Sequence, residues 1–130
     1  MRTFENVKFV NSIAPTSRSA SANGTGVDTQ GFSDGVVIIN AGVIGGTSPT
    51  FQYTVQESDD NSAWSANISG LVANITASNT TKCIRIGDLT SRKRYLRVVV
   101  TLGGTSPTTF DTAVFALGMP HSAPVGNVQS

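Results

Sequence analysis

The hexapeptide Gly-Gly-Thr-Ser-Pro-Thr occurs twice, at Gly45–Thr50 and again at Gly103–Thr108. Each copy stands between two apolar runs with the period of a β-strand. Val36-Val37-Ile38-Ile39-Asn40-Ala41-Gly42-Val43-Ile44 precedes the first copy and Phe51-Gln52-Tyr53-Thr54-Val55-Gln56-Glu57 follows it. Tyr95-Leu96-Arg97-Val98-Val99-Val100-Thr101-Leu102 precedes the second copy, and 109–117 follows it with Phe110, Val114, Phe115 and Leu117. Glycine, serine and proline between alternating apolar segments are turn chemistry. The repeat therefore predicts two related hairpins, each with its flanking strands paired antiparallel.

The rest of the chain fits an all-β class. No segment holds helical periodicity over three turns, and turn signals recur every ten or so residues, which predicts seven to nine strands. The expected architecture is an antiparallel β-sandwich or jelly roll with an irregular N-terminal arm. Residues 1–30 read as an N-terminal arm or edge segment, 31–118 as the sandwich, and 119–130 as a Pro-containing C-terminal tail. Phe4 to Ile13 could form one strand. Pro15 to Gly26 is small and polar and is expected to stay mobile unless a partner holds it. In 36–39 both faces are apolar, so this strand is expected to be covered on both sides. The predicted core is Val37, Ile39, Phe51, Tyr53, Val55, Trp64, Ile84, Ile86, Leu96, Val98, Val100, Val114 and most of Phe110 and Phe115.

Composition narrows the function. A chain of 130 residues is one domain and buries enough surface to fold without a disulfide or metal. Nine basic and eight acidic residues, net +1, provide no basic stripe for a nucleic acid. Cys83 is the only cysteine, which leaves no disulfide framework and no zinc cluster; it reads as a small buried apolar residue. The start of the chain lacks the apolar stretch of a signal peptide, and no apolar run approaches a membrane span, so a soluble protein made in the cytoplasm is expected. The Asn-x-Ser/Thr triplets at Asn23, Asn67, Asn74 and Asn79 then follow from Ser/Thr-rich composition.

No catalytic constellation emerges. The only histidine, His121, lies in the tail, a poor mount for a general base, and no enzyme is expected. Asp59-Asp60-Asn61 with Glu57 could offer oxygens to calcium, but lacks the glycine and glutamate of an EF-hand loop and reads better as a turn. No metal or other cofactor is expected. Arg92-Lys93-Arg94, with Arg97, is the densest charge cluster. It reads as a solvated strand end, with a salt-bridge contact to an acidic partner as the functional alternative. Trp64 could stack on a sugar, but a lone tryptophan among strands reads as a core anchor. The interaction candidates are Arg92, Lys93 and Arg94, and the apolar Phe4, Val7 and Phe9 of the first strand.

Three blocks together carry a resemblance. They are Asn23-Gly24-Thr25-Gly26-Val27-Asp28 before an apolar strand, Gly45–Phe51 running into Val55–Ser62, and Lys93–Val98 running through Gly104–Pro107 to Leu117–Val125. In this order they resemble a family of small tailed-bacteriophage virion proteins, the capsid decoration (cement) proteins, over roughly residues 20 to 125. The resemblance implies a sandwich or jelly roll on the outside of the virion head, made in the bacterial host cytoplasm. Its partner would be the major capsid protein, whose neighbouring subunits it bridges, with self-association as a dimer or trimer and no nucleic acid or membrane. Two other classes stay open: a carbohydrate-binding or tail-associated β-domain, and a head–tail connector or tail subunit. The glycan reading requires Trp64, Tyr53 or Tyr95 exposed beside polar groups.

Overall fold

The structure, a computed structural model, describes residues 7–120. Its strands are β1 Lys8–Arg18, β2 Ala22–Asn23, β3 Val27–Asp28, β4 Phe32–Ala41, β5 Gly45–Ser58, β6 Val72–Ile75, β7 Thr80–Asp88 and β8 Tyr95–Pro120. A 3-10 turn, Leu89–Ser91, precedes β8; the Asp88 carboxylate caps it by accepting the Thr90 N–H at 2.9 Å. All pairings are antiparallel, as expected for the all-β class.

The strands form two layers joined by the long strand β8. The first sheet has the order β1–β8–β4–β7 and uses residues 109–120 of β8. The second has the order β6–β5–β8, with β2 and β3 sharing the far edge, and uses residues 95–102 of β8. Alternation sends one face of each strand inward. The first sheet contributes Ile13, Val37, Ile39, Ala41, Ile84, Ala113, Phe115 and Leu117 to the core. The second contributes Val27, Phe51, Tyr53, Val55, Ala73, Ile75, Leu96, Val98 and Val100.

The two hexapeptides are not hairpin connections. They lie against each other, Gly45 opposite Thr108 and Thr50 opposite Gly103. The flanks of the first copy, β4 and β5, belong to different sheets and do not pair with each other; the flanks of the second are one strand, β8. Here the chain crosses between layers twice, once from β4 into β5 and once within β8. Both copies use the same backbone: Gly46 and Gly104 have φ of 106° and 91°, and Ser48 and Ser106 both have 48°. The register shifts within the crossing are β-bulges, which bend strands around a corner. A bulge and a tight turn need the same residues with positive φ, so the repeat signals backbone geometry without telling the two apart.

Four expected core residues lie elsewhere. Phe110 is 56% exposed and Val114 half-exposed, because 113, 115 and 117 point inward and the even positions outward. Ile86 packs against the core only in part, and Trp64 is half-buried on the outer side. Cys83, expected to be buried, is exposed.

The expected mobility of 15–26 is also corrected. From Lys8 onward the segment is an edge of both layers: β1 pairs with β8, and Ser12 and Ile13 are buried. The Gly24 N–H donates to the Val98 carbonyl at 2.7 Å, and the Leu102 N–H donates to Ser21 Oγ at 2.9 Å. Phe4, His121 and most of the tail 119–130 lie outside the described residues.

Candidate functional site

Val36 and Ile38 have the apolar outward pattern that predicted cover on both sides of β4. The structure covers one side. Val37 and Ile39 are fully buried, while Val36 and Ile38 sit half-exposed on the outer face of the first sheet, and no described element packs over them. The register extends this apolar band across the sheet. Phe9 lies opposite Ala116, Ala116 opposite Val36, and Val36 opposite Arg85. In the next row Asn11 lies opposite Val114, Val114 opposite Ile38, and Ile38 opposite Cys83. Phe9 is 38% exposed.

Shallow recesses mark both ends of this open face. One, of ≈ 270 Å³, is lined by Val7, Asp34, Val36, Arg85, Ala116 and Gly118. The other, of ≈ 470 Å³, includes Pro15, Asn40, Gly42, Phe110 and Thr112. Val7 and Phe9, both expected as interaction residues, therefore lie on one surface. The outer face of the second sheet is more polar: Gln52 and Thr101 are exposed there, Gln56 Oε1 accepts two hydrogen bonds from the half-buried Arg97 at 3.0 and 2.7 Å, and Val72 and Val99 are its apolar members.

The basic cluster is neutralised within the chain. Arg94 makes a two-point contact with Asp28, Nε to Oδ1 at 3.0 Å and Nη2 to Oδ2 at 2.8 Å. Lys93 Nζ lies 3.5 Å from Asp59, and Arg92 lies 3.9 Å from Glu57. Glu57 also accepts the Lys93 N–H at 3.0 Å. These are surface pairs, and solvent screening leaves each a weak contributor to stability. Asp60 serves the turn reading of its loop: Oδ1 accepts the N–H groups of Ser62 and Ala63 at 3.0 and 2.9 Å.

The aromatic residues required for a glycan platform are largely occupied. Tyr53 is fully buried, the Arg97 guanidinium lies 4.5 Å from the Trp64 ring centroid, and Arg94 lies 5.1 Å from that of Tyr95.

Three turn and rim carboxylates are held below the ordinary value of 3.8. The Arg94 guanidinium is the main cause at Asp28, partly offset by desolvation. Backbone N–H groups, led by that of Ala63, lower Asp60, and the Thr90 hydroxyl lowers Asp88. A carboxylate depressed by folding contributes stability that is complete above its unfolded pKa and lost as pH falls through the folded one. The expected result is a denaturation midpoint that these groups leave flat at neutral pH and lower once pH drops below 3.8. Asp28→Asn should show a smaller acid loss than the parent in urea titrations at stepped pH. An identical acid limb in both proteins would reject the assignment.

Sequence reasoning missed one buried network. Asp111, with no exposed side-chain surface, accepts from Arg18 Nε at 2.9 and 3.0 Å and from the Tyr53 hydroxyl at 2.6 Å. Burial, followed by the Asp111 hydrogen bond, pushes the Tyr53 phenol well above its ordinary range. Arg18 lay in the segment read as mobile, and a spacing of 93 residues gives no local signal for the pair.

No protein-family model matches the sequence, and no curated protein sequence matches it significantly. Solved structures share the fold. The PBSX exported protein XepA aligns over 100% of this chain and 43% of its own, at 15% identity and a TM-score of 0.58. This chain thus spans less than half of that protein. The SPBc2 prophage-derived protein YomS aligns over 88% of this chain and 94% of its own, at 11% identity and a TM-score of 0.50. A chain from the structure of the infectious bursal disease virus Gx strain aligns over 91% of this chain and 33% of its own, at 6% identity and a TM-score of 0.54. At these identities the likeness is one of fold.

Proposed function

We propose that this protein is a bacteriophage virion structural protein, a capsid decoration (cement) protein that binds the outer surface of the assembled head and bridges major capsid subunits. The observation that carries the reading is the open apolar face of the first sheet. Phe9, Val36, Ile38, Val114 and Ala116 stand in register on a face that no described element covers, and a contiguous apolar patch of this kind supports an interaction surface. The resemblance of the three sequence blocks points the same way. So does the fold shared with a prophage-derived protein and with a chain of a virus structure.

A site shared between capsid subunits exists only after assembly. Binding there withdraws assembled heads from the dissociation equilibrium and stabilises them by mass action. The test adds purified protein to undecorated heads and follows occupancy together with thermal disruption. Occupancy should saturate and the disruption temperature should rise. Equal shell stability with and without saturating protein would reject the cement role, and occupancy of a single ring per head would favour the connector reading instead.

A further inference from the structure

We propose that the Arg97 guanidinium, on the outer face of the second sheet, is the receptor for a carboxylate side chain of a partner protein. The site lies on the layer opposite the open apolar face and stands on observations of its own.

Arg97 differs from the other described arginines in what it pairs with. Arg18, Arg92 and Arg94 each have a carboxylate, that of Asp111, Glu57 and Asp28 respectively. Arg85 is exposed, so water solvates its charge. Arg97 is half-buried, and a neutral amide, Gln56, stands where the others have an acid. Burial lowers its pKa, the direction expected of a cation that has lost water without gaining an anion. Arg94 shows the complete arrangement: it lies 5.1 Å from the Tyr95 ring centroid and forks onto Asp28. Arg97 lies 4.5 Å from the Trp64 ring centroid and has the same setting without the anion.

The geometry leaves one edge of the guanidinium open. Nε and Nη2 both donate to Gln56 Oε1, at 3.0 and 2.7 Å, which uses the side edge. The indole of Trp64 covers a planar face. The N–H groups at the tip have no acceptor among the described residues. They form a parallel fork that a carboxylate accepts at two points. Neighbours hold the fork in place. Gln56 Nε2 donates to Asn67 Oδ1 at 3.0 Å, and the Thr54 hydroxyl donates to the same oxygen at 3.1 Å. An arginine fixed in advance loses less entropy on binding than a free one.

The surroundings select a protein as the source of the carboxylate. A nucleic-acid backbone is held by several cations together. Arg97 has none beside it: the adjoining row runs Val99, Thr54, Val72, and the next pairs Thr101 with Gln52. Tryptophan and arginine are the side chains that most often anchor protein contacts, and the half-exposed Val99 and the exposed Val72 supply apolar area around them. In the decoration reading, which the inference does not require, this site provides the second contact that bridging two subunits needs.

The test titrates the free full-length protein with an end-blocked tetrapeptide carrying one glutamate, then with its glutamine counterpart and with inorganic phosphate. Trp64, the chain's only tryptophan, reports by fluorescence, and side-chain Nε–H resonances report on Arg97. The glutamate peptide should shift both signals saturably, and the glutamine peptide neither. Arg97→Lys keeps the charge but loses the fork, and should weaken binding by about 10-fold. Gln56→Glu sets an acid against the guanidinium from within the chain. It should weaken binding by about 10-fold or more while the melting temperature holds or rises. A purely structural Arg97 would change stability in these variants with no peptide bound in any of them.

Absence of a response to the glutamate peptide at tens of millimolar overturns the proposal. So does an equal response to the glutamine peptide. Tighter binding of phosphate than of the glutamate peptide assigns the site to a phosphate ligand and also overturns it, as does peptide binding unchanged in both variants. No heads enter the titration, so failure of this site and failure of the cement role are read separately.

Discussion

Gly104→Ala should destabilise this protein by about 3–5 kcal/mol and lower its melting temperature by more than about 10 °C, because backbone strain and overpacking add at one position. Gly104 has a φ of 91°, which an L side chain adopts only with strain. A Cβ there would also run into the backbone carbonyls of Ser48 and Thr47 in the opposite hexapeptide. Those atoms belong to the crossing itself and cannot rotate away. Gly46 stands in the equivalent place, where a Cβ would lie 2.6 Å from the Ser106 carbonyl oxygen and 2.8 Å from that of Thr105. Gly46→Ala should therefore cost a similar amount. The double variant should cost less than the sum, since a crossing already forced open gives room to the second methyl. Gly70 separates the two causes. Its φ of 84° is also positive, but nothing lies within 4 Å of a Cβ built there. Gly70→Ala should cost only about 1 kcal/mol. Urea denaturation of the four variants decides the matter: equal losses at Gly70 and Gly104 would show that close approach at the crossing contributes nothing.

The second large effect is expected at Asp111. Asp111→Ala leaves the Arg18 guanidinium, whose side chain is only 10% exposed, without its counter-ion, and strips the buried Tyr53 hydroxyl of its acceptor. Removing one partner of a buried pair costs about 3–5 kcal/mol, mostly as the penalty on the charge left behind. Tyr53→Phe removes one neutral donor and should cost nearer about 1 kcal/mol. Arg18→Met combined with Asp111→Leu removes both charges and should recover much of the loss seen in Asp111→Ala. Denaturant midpoints with unchanged slopes would measure these differences. A loss below about 1 kcal/mol in Asp111→Ala would mean that water reaches the site and that the pair is effectively a surface one.

The legible parts of the fold were those where alternation is clean. Val37 and Ile39, Phe51, Tyr53 and Val55, and Leu96, Val98 and Val100 were expected inward and are fully buried. Alternation failed where both parities are apolar. In 109–117, Phe110 and Val114 compete with Ala113, Phe115 and Leu117, and only pairing with β4 and β1 fixes which set faces in. It failed again in β1, where register shifts break the period and bury Ser12 beside Ile13. The hexapeptides were recognised as constrained backbone, but the constraint was assigned to a turn. For the site, the cover expected over Val36 and Ile38 is absent among the described residues, where both stand half-exposed on the outer face. Asp28 as the partner of Arg94 was hidden by a separation of 66 residues, so the basic cluster looked freer than it is.

The crossing also has a mechanical consequence. Sheets held together only by side-chain packing can be peeled apart one contact at a time. Here β8 runs unbroken from Tyr95 to Pro120 through both layers, and the β4–β5 segment passes between them in the opposite sense. Tension that separates the layers is carried at this corner by two covalent backbones braced against each other. The ladder bonds of both sheets are then loaded in shear, so many must yield together. Pulled through opposite layers, the chain would resist at this corner as a strap does.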